Sequence, residues 1–295
     1  MNTALRADPL PGPQGQFDHV RMADGQLLFR RRWPDPSTQR GVLLVHGLGE
    51  HSGRYRHIAA WFSGRGWDVC SYDQRGHGQS PGPRGALRRS DDLLTDLAAM
   101  YAAYAIDFET PPLLFGHSMG GLVAAHAVLE GRVRPSAMVL SSPAFRSHES
   151  ALMQRLAGVL ASVMPNLPLR NGLKRQYLSH DAAVAPFYDD DPNCDNRITP
   201  RLADFIFRSG AYCIAQADDL SVPALLLAAG DDHLVDASGS CDFIAAGPPS
   251  RLDGRVLDGL YHEIFNEAEP ARSRVFAQLG EWLDEQFASD DAGTE

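Results

Sequence analysis

The stretch that most constrains the fold is Pro112-Leu113-Leu114-Phe115-Gly116-His117-Ser118-Met119-Gly120-Gly121, where an apolar run meets a glycine-bracketed serine and a helical pattern begins at once. Residues 112–115 read as a short buried strand, and Leu122-Val123-Ala124-Ala125 with Ala127-Val128-Leu129 as a helix stopped by Gly131. The chain must therefore turn sharply between them. Gly116 and Gly120 lack side chains, so strand and helix can approach closely while Ser118, in a strained turn, points its hydroxyl out of the sheet.

The flanking chain repeats the same rhythm. A turn signal, Ala23-Asp24-Gly25-Gln26, separates β-like runs at 17–22 and 27–33 and predicts an opening hairpin. Gly41-Val42-Leu43-Leu44-Val45-His46 then runs into Gly47-Leu48-Gly49, followed by Tyr55, Ile58, Ala59 and Phe62 at helical spacing. A strand at 67–72 precedes a helix capped by Ser90 with Asp91 and Asp92, and another strand is expected at 137–141. Apolar strands alternating with helices imply a parallel sheet covered on both faces. From about Phe145 to Leu220 the rhythm fails: a helix-like run at 151–164 is followed by five prolines and no strand of the earlier kind, which reads as an inserted cap. The rhythm resumes at Val222 to Ala229, then Arg255 to Asp258, and Pro270 starts a closing helix whose Val275, Phe276, Leu279, Trp282, Leu283 and Phe287 share a face.

Composition narrows the class. At 295 residues, 44% hydrophobic and 22% charged, the chain has ample core for one large α/β domain with an insertion or for two smaller domains, and its longest apolar runs are strand-sized. Residues 1–16, rich in proline and glycine with no apolar core segment, are expected to be a flexible leader rather than a secretory signal. Cys70, Cys194, Cys213 and Cys241 form no Cys-x-x-Cys pair, so reduced, buried thiols and a cytoplasmic location are expected. A formal charge of −10 argues against nucleic acid as a partner and favours neutral over strongly anionic substrates. Nothing in the pattern calls for a metal or a cofactor.

A serine hydroxyl needs a base within hydrogen-bond reach, and the base needs an acid to fix its tautomer. Five histidines follow Ser118: His126 in the elbow helix, His148 and His180 in the insertion, His233 beside candidate acids, and His262 in a loop after the final strand. His262 is the expected base. The acid should lie just past the strand at 223–229, where Asp231, Asp232 and Asp236 all qualify by position. The oxyanion donors expected are the backbone N–H of Met119, directly after the nucleophile, and that of Leu48 in the glycine loop. His46, His77 and His117 are assigned to loop packing.

Three longer blocks carry a resemblance: His46-Gly47-Leu48-Gly49-Glu50-His51-Ser52-Gly53-Arg54-Tyr55, Tyr72-Asp73-Gln74-Arg75-Gly76-His77-Gly78-Gln79-Ser80, and Gly116 to Gly121. With Met164-Pro165-Asn166-Leu167, Asp232-His233-Leu234-Val235-Asp236 and Tyr261-His262-Glu263, the chain resembles the monoacylglycerol lipase and lysophospholipase branch of the α/β-hydrolase superfamily over residues 17–287. The resemblance implies an α/β-hydrolase core at 17–144 and 221–287, a helical cap at 145–220 and a polar tail at 288–295. It implies a triad of Ser118, Asp232 and His262, an oxyanion hole from Leu48 and Met119, and hydrolysis of the single acyl ester of a glycerol. A lysophospholipase or general carboxylesterase is the alternative, and a non-catalytic binding protein the remote one. The resemblance also matches Glu50, Arg54 and the cap residue Tyr188 to glycerol recognition; the rival reading of Glu50 and Arg54 is a salt bridge holding the oxyanion loop. Where animal members carry a second histidine three residues beyond the catalytic one, this chain has Phe265, so one polar contact to glycerol is missing. The resemblance further suggests that the cap helix at 151–164 touches a membrane and admits an acyl chain, although its apolar face suits packing on the sheet domain equally well. Oligomeric state is not legible.

Overall fold

The computed structural model describes residues 12–288. The expected leader and tail therefore lie, apart from residues 12–16 and 288, outside the described residues. The chain opens with the predicted hairpin, β1 (Gln16–Arg21) and β2 (Leu27–Trp33), paired antiparallel. Then follow β3 (Gly41–Val45), α1 (Arg56–Ser63), β4 (Asp68–Tyr72), α2 (Asp92–Ala105), β5 (Leu113–His117), α3 (Met119–Leu129) and β6 (Met138–Ser141). The insertion contributes α4 (Ala151–Val163), β7 (Leu169–Arg170), α5 (Val184–Asp190), β8 (Arg197–Ile198) and α6 (Pro200–Ala215). The core resumes with β9 (Ala224–Ala229), α7 (Ser238–Ala246), β10 (Leu252–Leu257) and α8 (Ala271–Phe287).

Eight strands form one sheet in the order β1-β2-β4-β3-β5-β6-β9-β10, parallel from β4 onward. All five residues of β3 are buried, and they alternate between layers: Leu43 and Val45 face the α2–α3 side, Val42 and Leu44 the α1–α8 side. That two-sided burial is why the strand is apolar throughout. The chain leaves β3 for β4 on one side and returns to β5 on the other, so a crevice opens at the carboxyl ends of β3 and β5, the place where open α/β sheets bind ligands.

Several expectations need correction. No side chain caps α2; Asp92 instead accepts the backbone N–H of Arg88 and Arg89, and Ser90 takes no part. β10 starts at Leu252, before the stretch read from the sequence, because an edge strand containing Asp253 and Gly254 lacks a continuous apolar run. The insertion holds a second long helix, α6, hidden by Pro200, which occupies its first turn, where a missing N–H costs nothing. Leu202, Phe205 and Cys213 of α6 join the core beside α3, so this helix seats the insertion on the sheet domain. Of the cysteines, Cys70 and Cys213 are buried, but Cys194 is half-buried and Cys241 exposed.

Candidate active site

The elbow is built by backbone geometry. Ser118 sits at φ 53°, ψ −120°, left-handed and costly for a residue with a side chain, at the junction of β5 and α3. The junction is held by Ser118 N–H to Ser141 O and by Leu122 N–H and Ala144 N–H to Ser118 O. A Cβ on Gly120 would lie 2.2 Å from Val45 O, and one on Gly116 2.5 Å from Gly120 O, so helix and strand cross at backbone contact. A second Gly-x-Ser-x-Gly, Gly78 to Gly82, has no such setting. Its Ser80 is buried and spends its hydroxyl on Asp73 O and Phe29 N–H.

The loops after β9 and β10 bring two more side chains to Ser118. Ser118 Oγ donates to His262 Nε2 at 2.8 Å, and His262 Nδ1–H donates to Asp232 Oδ2 at 2.6 Å. The other Asp232 oxygen accepts the N–H groups of Leu234 and Val235 at 2.8 and 3.0 Å. Burial alone would raise the Asp232 carboxyl, but the His262 charge and these bonds hold it below the ordinary aspartate value. Burial likewise opposes charge on His262, yet Asp232, then Glu263 and Glu50, leave it raised above an ordinary histidine. Ionised Asp232 only accepts, so the proton of neutral His262 sits on Nδ1 and leaves Nε2 free to take the serine's. Of the three acids that spacing left open, Asp232, the one the resemblance favours, bonds His262, while Asp231 is exposed and pairs with His233, and Asp236 accepts the N–H of Ser238.

The glycine loop after β3 lies against Ser118, since a Cβ on Gly47 would meet Ser118 Cβ at 3.2 Å and Glu50 Oε1 at 2.8 Å. Leu48 and Met119 both line the cleft in front of Ser118, and Met119 opens α3, where backbone N–H groups have no intrahelical acceptor. His46 anchors the loop: its Nδ1–H donates to Gly47 O at 2.7 Å and its Nε2 accepts the N–H of Gln74 at 2.8 Å.

The three residues matched to glycerol recognition are already engaged. Glu50 accepts Gly47 N–H at 2.6 Å, Tyr55 OH at 2.7 Å and Arg54 Nη1 at 2.7 Å. Arg54, buried, also grips Glu263 with both terminal nitrogens at 2.6 and 2.8 Å, and its guanidinium lies 4.9 Å from the centre of the Tyr188 ring. Tyr188, on α5, donates its hydroxyl to Gly49 O at 2.7 Å. Glu50 and Tyr188 still line the cleft, and Glu50 also lines a small separate chamber with Arg54 and Phe265.

Sequence reasoning passed over two neighbours. His117 was assigned to loop packing, but it lines both the cleft and the chamber, its ring 4.9 Å from that of His262 and its Nδ1 3.0 Å from Ser141 Oγ. Burial and the adjacent His262 push it down to about 4, so it stays neutral when His262 titrates. Its place directly before Ser118 was the only available signal. Glu263 had the same kind of signal, directly after His262, and no role was read for it.

The cleft holds about 280 Å³; beyond Ser118 and His262 it is lined by Leu173, Leu178, Ile198, Ile206 and Phe207 together with the polar Arg146, His148, Glu149, Asn171 and Lys174. That volume lies just below the roughly 300–1,000 Å³ usual for small-molecule pockets.

A family profile described as serine aminopeptidase, S33 (Hydrolase_4) matches residues 36–269. A monoacylglycerol lipase of Mycolicibacterium smegmatis is 34% identical over 256 residues, covering 85% of this chain and 90% of that protein. The human monoglyceride lipase is 30% identical over 295 residues, covering 98% and 96%. An uncharacterised abhydrolase-domain protein of Dictyostelium discoideum is 30% identical over 90% of this chain, which spans only 28% of that protein's length. Among solved structures, the monoacylglycerol lipase of Paleococcus ferrophilus superposes with a TM-score of 0.81 at 31% identity, covering 88% of this chain and 99% of that one.

Proposed function

Because the chain belongs to the Hydrolase_4 family of α/β-hydrolases, we infer that it is a serine hydrolase that cleaves monoacylglycerols to fatty acid and glycerol through an acyl-enzyme. The observation that carries this reading is the continuous Ser118–His262–Asp232 hydrogen-bond chain beside a cleft whose lining includes Leu173, Leu178, Ile198, Ile206 and Phe207. Ser118 Oγ attacks the ester carbonyl while His262 Nε2 takes its proton, and the N–H groups of Leu48 and Met119 receive the oxyanion. Each such donor is worth roughly 3 to 4 kcal/mol where one has been removed by mutation. The tetrahedral intermediate expels glycerol, protonated by His262, and leaves Ser118 acylated; water activated by the same histidine then releases the fatty acid. The cleft binds the acyl chain at about 0.8 kcal/mol for each buried methylene.

The polar end favours an uncharged head group. Glu50 and Glu263 share one guanidinium, so the trio itself carries a surplus negative charge that opposes a phosphate placed against it, whereas Arg146 and Lys174 are the cations elsewhere in the cleft lining. Monooleoylglycerol is expected to be turned over at least tenfold faster, by kcat/KM, than lysophosphatidylcholine or aminoacyl p-nitroanilides under the same dispersal conditions. Faster hydrolysis of the lysolipid assigns a lysophospholipase, and of the anilides a peptidase.

Lipid contact through the cap is part of this proposal. No residue of α4 is buried, and Leu152, Met153, Leu156, Val159 and Val163 are all exposed, as is Met164 beyond it. That exposure supports lipid contact over packing of this face on the sheet domain. Residues 150–180 contain no Asp or Glu, while Arg155, Arg170 and Lys174 are exposed. No helix among the described residues is long and apolar enough to cross a membrane, so the contact is a surface one. The double variant Leu156→Glu/Val159→Glu is expected to lose at least tenfold in partitioning to phosphatidylcholine vesicles containing anionic lipid, measured by co-sedimentation, with hydrolysis of p-nitrophenyl butyrate retained. Unchanged partitioning would assign the contact elsewhere.

A further inference from the structure

Two loops must keep register for acyl transfer: the one that presents oxyanion donors and the one that carries the general base. They arrive from opposite sides of the sheet centre, one after β3 and one after β10. Neither belongs to a regular element, and both border the cleft. The structure joins them through one unbroken chain of charged contacts.

The chain begins at Gly47 N–H, next to the Leu48 amide. It passes to the Glu50 carboxylate at 2.6 Å, on to Arg54 at 2.7 Å, and by a two-pronged contact to Glu263, the residue after His262. Tyr55 and Asn266 each donate to a carboxylate of the chain, both at 2.7 Å. The insertion braces it: Leu178 O accepts Glu263 N–H at 2.8 Å, and Tyr188 covers the guanidinium while bonding Gly49 O. The guanidinium's bonds to the two carboxylates are short and charge-assisted, and all three side chains are buried, a geometry that fixes distance and angle together.

We propose that Glu263 is a positioning residue: through Arg54 and Glu50 it locks the histidine loop to the oxyanion loop, so that general base and oxyanion donors reach Ser118 in one fixed arrangement. The proposal rests on the serine-hydrolase reading above. It gives Arg54 a task other than holding the glycerol, because its Nη1 and Nη2 are committed to Glu50 and Glu263. It also makes the clamp part of the electrostatics of the base. The charged and titratable groups facing His262 are Asp232 from the β9 loop, neutral His117 from β5, Glu50 with Arg54 from the β3 loop, and Glu263 from its own loop. Asp232 contributes most to raising the imidazole, and Glu263 and Glu50 add to it. Removing the Glu263 charge lowers the imidazole pKa, so the base is uncharged, and active, to lower pH.

The test compares Glu263→Gln, Glu263→Asp and Glu50→Gln with wild type on p-nitrophenyl butyrate and monooleoylglycerol across pH 4 to 9. Circular dichroism checks that each variant is folded, and Ser118→Ala serves as the inactive control. For Glu263→Gln we expect kcat at neutral pH to fall about tenfold on both substrates, KM to change less than twofold, and the acidic limb of kcat/KM to move to lower pH. Glu263→Asp, which keeps the charge, should retain the wild-type limb, and Glu50→Gln should shift it in the same direction as Glu263→Gln. A rise in KM confined to monooleoylglycerol would make Glu263 a head-group contact and overturn the proposal. Wild-type kcat with an unmoved limb would make it a structural residue only. If Ser118→Ala retains activity, it is the serine-hydrolase reading that fails, independently of Glu263.

Discussion

Replacing Ser118 with alanine is expected to lower kcat for ester hydrolysis by about 10⁶-fold, the scale seen when a triad nucleophile is removed, without unfolding the protein. The side chain makes one hydrogen bond, to His262, while the elbow is held by backbone groups of Ser118 that alanine retains. Alanine also has the Cβ that serine already carries at φ 53°, so the strain of the turn is unchanged. Steady-state assays on monooleoylglycerol with a matched circular-dichroism melt separate the two effects. The oxyanion donors should leave a residual rate about 10³ to 10⁴ above uncatalysed hydrolysis. A fall of only tenfold would mean that Ser118 is not the attacking atom.

Arg54→Met should cost about 3 to 5 kcal/mol of stability at neutral pH, because it strands two buried carboxylates without their shared counter-ion. At a few degrees per kcal/mol for a domain of this size, the melting midpoint drops by roughly 10 °C. The pH dependence follows from the direction of the shift at Glu50. Burial alone would raise this carboxyl, but Arg54 above all holds it down at about 2. A depressed carboxylate contributes stability that is present above the ordinary glutamate range and is lost as pH falls through its folded value. In the variant that contribution is gone and burial favours the protonated form. The stability gap between wild type and Arg54→Met is therefore widest near neutral pH and narrows as pH falls from the ordinary glutamate range towards about 2. Urea titrations at several pH values measure this, and a gap independent of pH would contradict the assignment of the cost to buried charge.

The parts of this fold legible in the sequence are those where one residue type answers one physical demand. Two-sided burial wrote β3, β5 and β9 as unbroken apolar runs, and backbone crossing at the elbow admitted only glycine at positions 116 and 120. His262 stood out because it alone followed the final strand. The edge strand β10 and the helix α6 were obscured, the first by an unpaired side that tolerates Asp253 and Gly254, the second by a proline that both ends and begins helices. Spacing alone did not separate Asp231 from Asp232, which differ only in which way a loop turns them; the resemblance favoured Asp232, the residue that bonds His262. Half of the clamp, the Glu50–Arg54 salt bridge at the oxyanion loop, was among the readings of the sequence; its link to Glu263 was illegible for a deeper reason. Arg54 and Glu263 are 209 positions apart in the chain, and nothing at either position announces the other. α4 shows the reverse case: its apolar face was visible, but periodicity says only that a face exists, and the structure shows that no residue of the helix is buried.

The central claim is that Ser118 forms a covalent acyl-enzyme with His262 and Asp232 as its activating pair. It is tested most directly by treating the protein with a fluorophosphonate and reading intact mass and peptide fragments by mass spectrometry. The account predicts one adduct per chain, located on Ser118, formed rapidly in wild type and absent from Ser118→Ala, with labelling slowed at least a thousandfold in His262→Ala. An adduct on any other residue, or none in wild type at concentrations that label a control serine esterase, would contradict it.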